Sequence, residues 1–475
     1  MTPLEKYLKD LSEIRASGAA TDETSFYTPL NNLLDEIGAD FRPRVKCVMQ
    51  LKNLYGAGHP DGGLFLSPDQ FQKAAPDQPV MGQKPARGAI EAKATDNDAF
   101  VTAESDQVTK YWREYGQVLV TNYRDFVLLG QDSENKPVKL GSYRLGANED
   151  SFWAATEHPR KAAEKHESQF TDFLRLAVLS PAVLVDPKDV AEILAYYARQ
   201  ANSRVQQHSK IPALGTIRAA LEQALGLKFE GDKGDHFFRS SLVQTLFYGI
   251  FSAWVLWSKK HNQPQDKFDW RLAQWSLRVP IIRALFEQIA TPGQLGALGI
   301  VEILDWTASA LNRVNRDEFN KRFQEQHAVQ YFYEPFLKTF DPALRKQLGV
   351  WFTPTEIVKY MVARTDRVLR DELKLADGLA DKNVYILDPA CGTGAYLVEV
   401  LKTISATLQA KGEDALFAEK LKHIAMERVF GFEILPAPFV VSHLQLGLLL
   451  QNLGAPFGEE TGERAAVYLT NSLTG

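Results

Sequence analysis

The spacing of apolar positions changes twice along the chain and separates three zones. In the first, up to about residue 150, Phe26, Leu30 and Leu34 recur every four residues and predict one apolar helix face. Further runs predict three strands, a helix and a hairpin, at residues 42–50, 63–66, 88–94, 98–115 and 117–132. The Pro- and Gln-rich stretch between the second and third strands predicts a loop, because it interrupts both regular periods. This zone therefore predicts a mixed α/β domain.

The second and third zones have different periods. Residues 151–345 carry almost only helical spacing and predict an all-helical connector. The most apolar stretch, 242–257, is shorter than the roughly 20 residues of a membrane span and contains Gln244. We therefore expect a buried helix and no membrane association. Residues 346–475 alternate strand and helix patterns, which predicts parallel strands joined by crossover helices.

Length and composition agree with this division. A chain of 475 residues is too long for one core and predicts about three domains. The net charge of −5 argues against a uniformly basic nucleic-acid coat, although a local basic groove is compatible with it. Cys47 and Cys391 lie far apart and outside any metal-binding motif, so we expect neither a disulfide framework nor a zinc site. The charged N-terminus is not a targeting segment, and a cytoplasmic location is expected.

The segment VYILDPACGTG in the third zone has the pattern of a ligand-binding loop. An apolar strand ends at Asp388, Gly392 and Gly394 follow, and a helix begins near Ala395. Glycines permit a tight turn and let a ligand lie against the main chain, while the helix N-terminus offers donors to a carboxylate. One crossover later, FGFEI places Glu433 at a strand end, where an acid can accept hydrogen bonds from a ribose diol.

Together with the preceding FTP triplet, DPACGTG resembles the adenine-N6 DNA methyltransferases whose cofactor motif comes before the catalytic one. An ordinary strand-to-helix glycine turn is the alternative. The resemblance implies S-adenosylmethionine as cofactor, with its ribose on Glu433 and its adenine near Asn471, where the family usually has an acid. The residues implied to hold the methionine end are Phe352, Thr353, Pro354, Asp388, Pro389, Ala390, Cys391, Gly392, Thr393 and Gly394. Cys391 is then a small loop residue, not a nucleophile.

The family's catalytic motif, Asn/Asp-Pro-Pro-Tyr/Phe, does not occur in these 475 residues. That motif holds the amino group of a flipped adenine and stacks on its ring. We therefore expect the chain to be a piece of a longer enzyme that contains the S-adenosylmethionine-binding half of the methyltransferase domain. On this expectation it binds the cofactor incompletely and does not methylate DNA alone.

Two short segments of the first zone carry a second chemistry. HPDGG contains Asp61, and GAIEAKA contains Glu91 and Lys93, which share one face of a predicted strand while Ile90 and Ala92 take the core face. Carboxylates on adjacent strands can hold Mg²⁺, and a neighbouring lysine can orient or help to deprotonate an attacking water. We predict Asp61 and Glu91 as metal ligands.

A helix and a further acid complete this pattern. Gln107 and Tyr111 stand one turn apart, and Glu23 lies on the inward face of the first helix, where an unpaired acid is costly. The order of these elements resembles the PD-(D/E)xK nucleases, particularly RecB-like and fused restriction enzymes. The resemblance implies Mg²⁺-dependent DNA hydrolysis with catalytic residues Glu23, Asp61, Glu91, Lys93, Gln107 and Tyr111. A solvated charged strand is the alternative, because Glu-x-Lys triplets are common.

The segment YFYEPFLKTFDPALRKQLGVWFTP resembles the junction of connector and methyltransferase in single-chain restriction-modification enzymes of types IIG and ISP. Type ISP enzymes carry a helicase, and no P-loop motif occurs here, so type IIG is the better match. The implied fold is α/β and multidomain: a PD-(D/E)xK-like nuclease domain at 1–150, an all-helical connector at 151–345, and the start of a Rossmann-like methyltransferase domain at 346–475. Double-stranded DNA is the expected partner, and other subunits of a phage defence system are further candidates.

Two other functions stay open on the sequence alone. One is a catalytically silent DNA-binding or regulatory subunit of a defence complex, and the other is a modification-only methyltransferase whose first zone grips DNA. Arg42, Arg44 and Lys46 alternate along one strand face and fit phosphate contact or simple solvation equally well.

Overall fold

The computed structural model divides into two compact units. The first comprises Met1–Gln200, Gln263–Lys267 and Ile303–Phe319, and the second comprises Ala201–Asn262, Phe268–Glu302 and Asn320–Gly475. The residues that the structure describes are 1–21, 23–41, 44–51, 58–67, 84–131, 136–179, 184–208, 212–225, 228–261, 263, 265–272, 298–323, 332–342, 353–412, 417–458 and 462–473. Each unit combines residues from more than one predicted zone, and the division at 150 and 345 stays a prediction.

The first unit is built on a mixed sheet whose six strands lie side by side in chain order. These strands are β1 Arg44–Met49, β2 Gly62–Ser67, β3 Ala89–Ala92, β4 Gln117–Thr121, β5 Asp125–Gln131 and β6 Pro137–Arg144. β3 and β4 run parallel, and the other neighbouring pairs are antiparallel. A parallel pair needs a crossover connection, which helices supply here between β3 and β4.

Helices cover both faces of this sheet. They are α1 Pro3–Ala16, α2 Tyr27–Gly38, α3 Ala99–Ala103, α4 Asp106–Tyr115, α5 Glu149–Thr156 and α6 Pro159–Leu179, and a 3₁₀ turn at Thr24–Phe26 precedes α2. On one face, Val118 and Val120 of β4 share a buried cluster with Tyr111 of α4. On the other, the ring of Phe126 in β5 lies 4.9 Å from that of Phe170 in α6. The sheet is therefore the core of this unit.

The predicted elements of the first zone are confirmed in type and differ in detail. The helix, the three strands and the hairpin are present, but the helix expected at 98–115 is two helices. Asp98 accepts hydrogen bonds from the first turn of α3, and the Ser105 hydroxyl accepts one from the Val108 N–H at the start of α4. Each of these side chains begins a new helix, which explains the break. Most of the predicted loop between β2 and β3, residues 68–83, lies outside the described residues.

The second unit contains a parallel sheet ordered β7-β8-β9, with β7 Ile386–Asp388, β8 Val429–Glu433 and β9 Ala466–Leu469. The crossover helices are α14 Ala395–Ala410 and α15 Phe417–Glu427 between β7 and β8, and α16 Pro436–Asn452 between β8 and β9. Helix α13, Thr355–Asp371, and a 3₁₀ turn at Gly378–Ala380 precede β7. The predicted parallel strands with crossover helices are confirmed. Asp388 and Glu433 therefore end neighbouring strands at the same sheet edge.

The central part of the chain is helical, as predicted. Its described elements are α7 Pro187–Gln207, α8 Pro212–Leu225, α9 Gly231–Lys260, a 3₁₀ turn at Trp270–Leu272, α10 Val301–Asn312, α11 Arg316–Arg322 and α12 Glu334–Phe340. Within the described part of the chain, α9 alone is long and apolar enough to cross a membrane, and 89% of its most apolar window is buried inside the protein. The ring of Tyr248 lies 4.7 Å from that of Phe336 in α12. The predicted buried helix is confirmed.

Candidate functional sites

The carboxyl groups of Asp61 and Glu91 come from neighbouring strands of the first sheet. Asp61 immediately precedes β2, and Gly62 pairs with Ile90 of β3 in antiparallel register. The next pair in this register is Asp61 with Glu91, so the two side chains lie side by side on neighbouring strands. The structure thus brings the two predicted metal ligands together.

Both carboxylate oxygens of Asp61 accept a hydrogen bond. The hydroxyl of Tyr27, at the start of α2, donates to Oδ1 at 2.6 Å, and the Ala92 N–H donates to Oδ2 at 2.8 Å. Burial, and then the bond to Asp61, raise the pKa of the Tyr27 phenol, so the hydroxyl keeps its proton and donates. One lone pair on each Asp61 oxygen remains for a further partner.

Glu91 is only 1% exposed. The prediction that Ile90 and Ala92 face the core is correct, but the face that carries Glu91 is buried as well, because α4 packs against β3 there. Burial raises the pKa of Glu91 to about 7, against the lowering effect of Lys93, whose Nζ lies 2.6 Å from Glu91 Oε1. Burial lowers and the bond to Glu91 raises the pKa of Lys93, and the net shift is upward, so the ammonium is charged.

Glu23 is placed differently from the sequence prediction. It lies in the turn before the 3₁₀ segment Thr24–Phe26 and not within the first helix, because the helical residues begin only after it. Its main-chain carbonyl accepts a 2.6 Å hydrogen bond from the Tyr123 hydroxyl, and its Oε1 lies 3.5 Å from the Tyr27 hydroxyl. Two tyrosines therefore hold this acid beside Asp61.

Gln107 and Tyr111 face the same side of α4, as their spacing predicts. The Gln107 amide donates to the Tyr111 hydroxyl at 3.0 Å, and the Tyr111 side chain is 1% exposed. Burial, with a further contribution from the charges of Glu91 and Asp61, raises the pKa of Tyr111. The phenol is therefore a protonated donor next to the two carboxyl groups.

Glu23, Asp61 and Glu91 are called the acidic cluster. The buried carboxyl oxygens of Glu91 show how this cluster could fit a divalent cation. Both carboxyl oxygens of Glu91 are buried, and within the described ranges neither has a hydrogen-bond partner of ordinary geometry, although Lys93 Nζ lies 2.6 Å from Oε1. Mg²⁺ commonly takes one or two carboxylates and fills its other positions with water or phosphate oxygens. Across the described residues, no group of three or more His, Cys, Asp or Glu is arranged to hold a metal. The fit therefore rests on Asp61 and Glu91 alone.

The glycine loop of the second unit leaves β7 in a tight turn. Gly392 has φ 56° and Gly394 has φ 86°, both in the left-handed region that favours glycine, and the Gly394 N–H donates to the Cys391 carbonyl at 2.8 Å. A Cβ at Gly394 would lie 3.1 Å from Ser442 of α16, whereas one at Gly392 would meet no atom of the described residues within 4 Å. With respect to that part of the chain, the main chain at Gly392 borders open space, where a ligand can approach it.

Glu433 ties this loop to the end of β8. Its Oε2 accepts the Gly392 N–H at 2.8 Å and its Oε1 accepts the Leu435 N–H at 2.8 Å. Burial raises the pKa of Glu433, against the lowering effect of these main-chain donors. Burial also raises the pKa of Asp388, whose Oδ1 accepts the Ala390 N–H at 3.1 Å. Two acids thus hold the loop at the carboxyl edge of the sheet.

The remaining residues that were predicted to bind the cofactor lie in different surroundings. Thr353 and Pro354 are exposed before α13, and Phe352 lies outside the described residues. The Asn471 side-chain carbonyl accepts the Leu473 N–H at 3.0 Å. One lone pair of this oxygen is therefore used within the turn that contains Asn471. The Pro389 carbonyl accepts the Ser472 hydroxyl at 2.7 Å.

Cys391 packs behind the loop. It is 5% exposed, and a Cβ at Gly431 of β8 would lie 3.0 Å from its Sγ, so the glycine makes room for the thiol. Burial raises the pKa of the Cys391 thiol. The side chain therefore packs against β8, and its interpretation as a small loop residue stays a prediction.

Sequence reasoning missed side chains in both sites. Tyr27 lies only four residues after Glu23, so its closeness along the chain was the one signal that could have identified it. Tyr123 and Gln445 gave no such signal, because their partners are distant in sequence: Tyr123 bonds to Glu23, and the Gln445 amide donates to the Thr393 carbonyl at 2.7 Å.

The chain contains an N-6 DNA methylase domain. Residues 324–452 match the family model of that name, and this range includes β7, the glycine loop and β8 with Glu433. The family implies S-adenosylmethionine as methyl donor. None of the curated protein sequences matches this chain.

Several solved structures, restriction enzymes among them, resemble the chain weakly. A DrdV–DNA complex is 19% identical, with 99% of this chain and 40% of that chain covered, at a TM-score of 0.38. The ATP-dependent type ISP restriction-modification enzyme LlaBIII bound to DNA is 20% identical. The match covers 60% of this chain and 17% of that chain, and the TM-score is 0.36. The type IIG restriction endonuclease BpuSI is 13% identical. The match covers 95% of this chain and 42% of that chain, and the TM-score is 0.25. The chain spans less than half the length of each, and these scores do not establish a shared fold.

Proposed function

We propose that this chain belongs to a restriction-modification enzyme that joins a Mg²⁺-dependent DNA endonuclease to an N6-adenine DNA methyltransferase. The observation that carries the nuclease half is the convergence of Asp61, Glu91 and Lys93 from two adjacent strands, with Glu23 and Tyr111 beside them. An N-6 DNA methylase domain in the same chain supports double-stranded DNA as the common substrate. The assignment of residues 1–150 to a PD-(D/E)xK-like fold and of 346–475 to a Rossmann-like fold is part of this proposal.

In the nuclease half, Asp61 and Glu91 would hold Mg²⁺ through their carboxylates, and the ion would supply Lewis-acid chemistry at the scissile phosphate. Lys93 is charged and already beside the carboxylates, so it can stabilise the negative charge that develops on the phosphate. The Tyr111 hydroxyl accepts from Gln107 and keeps its own proton, which it can donate to a phosphate oxygen.

In the methyltransferase half, S-adenosylmethionine would supply the methyl group. Glu433 would hold the ribose, Asp388 the amino group, and the main chain of residues 390–394 the carboxylate at the start of α14. Open space at Gly392 supports this placement. Thr353 and Pro354 would line the methionine end, and Asn471 would lie toward the adenine; Phe352, assigned to the methionine end by the resemblance, lies outside the described residues.

The experiment that tests the nuclease assignment is nicking of supercoiled DNA by the purified chain with Mg²⁺. We predict that Asp61→Ala and Lys93→Ala abolish nicking and leave S-adenosylmethionine binding unchanged, because the two sites use different elements. The matched controls are Asp96→Ala and Lys161→Ala, which remove exposed side chains of the same types and should cleave like the wild type. Equal nicking by Asp61→Ala and its control would exclude the nuclease. Absence of any metal-dependent cleavage by the wild type would favour a regulatory or modification-only role.

A further inference from the structure

Tyr27 is the side chain outside the predicted site that contacts the acidic cluster most directly. It begins α2 and is 8% exposed, so most of its ring is packed within the first unit. Its hydroxyl donates to Asp61 at 2.6 Å and lies 3.5 Å from the Glu23 carboxylate. The hydroxyl has one proton for two neighbouring acids, and the Asp61 oxygen is the closer acceptor.

The segment that carries Tyr27 is itself fixed. Tyr123, in the turn between β4 and β5, is fully buried and has φ 68°, a left-handed conformation that is uncommon for a tyrosine. Its hydroxyl donates to the Glu23 carbonyl at 2.6 Å, and its ring packs edge-on against Phe26 at 5.3 Å. Strain of this kind persists where the surroundings hold a residue in place, and it is common at functional sites.

The hydrogen bonds of Asp61 then have a specific consequence. Tyr27 fixes Oδ1 and the Ala92 N–H fixes Oδ2, so the carboxylate plane is set by α2 on one side and β3 on the other. Removing the Tyr27 hydroxyl leaves the Ala92 bond as the remaining restraint, and the carboxylate can rotate away from Glu91. A partner that orients a ligating carboxylate in this way typically contributes 10- to 100-fold to metal affinity.

We propose that Tyr27 is a positioning residue of the nuclease site, which orients the Asp61 carboxylate for a divalent cation shared with Glu91. This inference rests on the proposed nuclease function. Tyr27 does not itself touch the metal or the DNA in this assignment. Its role is to hold the Asp61 carboxylate in the orientation that a shared cation requires.

The test is binding of Mn²⁺, an oxygen-preferring probe that is detected by electron paramagnetic resonance, to the full chain without DNA. Tyr27→Phe should raise the Kd for Mn²⁺ by about 10- to 100-fold and raise the Mg²⁺ concentration for half-maximal nicking to a similar extent. Tyr197→Phe is the matched control, because it removes a buried tyrosine hydroxyl that bonds to the Leu140 carbonyl, away from any carboxylate. Both variants should lower the Tm without metal by similar amounts, whereas Tyr197→Phe should leave Mn²⁺ affinity unchanged.

Equal Mn²⁺ affinities for Tyr27→Phe and Tyr197→Phe, with a wild type that binds Mn²⁺, would overturn the role of Tyr27 and leave the nuclease intact. A wild type that binds no Mn²⁺ and does not nick DNA would overturn both proposals. If Tyr27→Phe does not fold, 4-aminophenylalanine at position 27 keeps the shape and an N–H donor. It should bind Mn²⁺ within a few-fold of the wild type, and a loss of about 10-fold or more would contradict the proposal.

Discussion

The acidic cluster and the glycine loop hold their acids in opposite ways. In the cluster, side chains hold side chains: Tyr27 bonds Asp61, and Lys93 pairs with a Glu91 that is 1% exposed. In the loop, carboxylates hold main-chain N–H groups, and the main chain at Gly392 borders open space. The comparison teaches that the cluster fixes its carboxyl groups through neighbouring side chains, whereas the loop leaves part of its main chain uncovered by the described residues.

The largest effect is expected from Glu433→Ala. The variant removes a carboxylate that accepts two N–H bonds at 2.8 Å, and hydrogen bonds to charged groups contribute about 1.5–3 kcal/mol each. S-adenosylmethionine affinity should fall by roughly 10- to 100-fold, measured by calorimetry, while Mn²⁺ binding by the acidic cluster stays unchanged. Glu419→Ala, which removes an acid that is 74% exposed in the same unit, is the control. A parallel loss of Mn²⁺ affinity would show that the two sites are not independent.

The next largest effect is expected in the pH dependence of stability, which should distinguish the acidic cluster from the glycine loop. Glu91 has its pKa raised to about 7, above the ordinary value of 4.5, so the folded protein binds this proton more tightly than the unfolded chain. Its contribution to stability is fully present below about 4.5 and is lost as the pH rises through about 7. The free energy of unfolding without metal should therefore fall over this window, by at most about 1.4 kcal/mol per pH unit.

Denaturant unfolding at a series of pH values measures this slope. Glu91→Gln should remove it, because the amide does not titrate, and saturating Mg²⁺ should reduce it, because the ion favours the carboxylate. Glu419→Gln is the control and should keep the wild-type slope. An unchanged slope in Glu91→Gln would mean that other groups carry the pH dependence.

The smallest effects are expected from alanine substitutions at Gly392 and Gly394, and these effects should differ between the two positions. Both have positive φ, so alanine costs about 1–2 kcal/mol at either position. Gly394→Ala also brings its Cβ to 3.1 Å from Ser442 and should lower the Tm more than Gly392→Ala. Gly392→Ala adds its methyl to open space and should weaken S-adenosylmethionine binding beyond its effect on the Tm. Identical Tm and affinity changes in the two variants would contradict the assignment of the ligand to the Gly392 side.

Much of the fold could be predicted because it follows from local periodicity. Leu30 and Leu34 at helical spacing mark α2, and the glycine pair after Asp388 marks the turn into α14. The burial of Glu91 was not predictable, because it depends on α4 packing over β3. The split of the helix at Ser105 was missed because a capping hydroxyl and a helical serine look alike until the chain direction is known.

The sequence by itself determined the order of Asp61, the Glu-x-Lys triplet and the DPACGTG loop, and the strand and helix types around them. Only the tertiary structure decided how these groups are held, since the Tyr27, Tyr123 and Gln445 bonds join residues whose separation along the chain reaches 100 positions. The physical reason is that local patterns fix dihedral preferences and apolar faces. Burial, pKa and hydrogen-bond partners depend on which distant element covers a side chain.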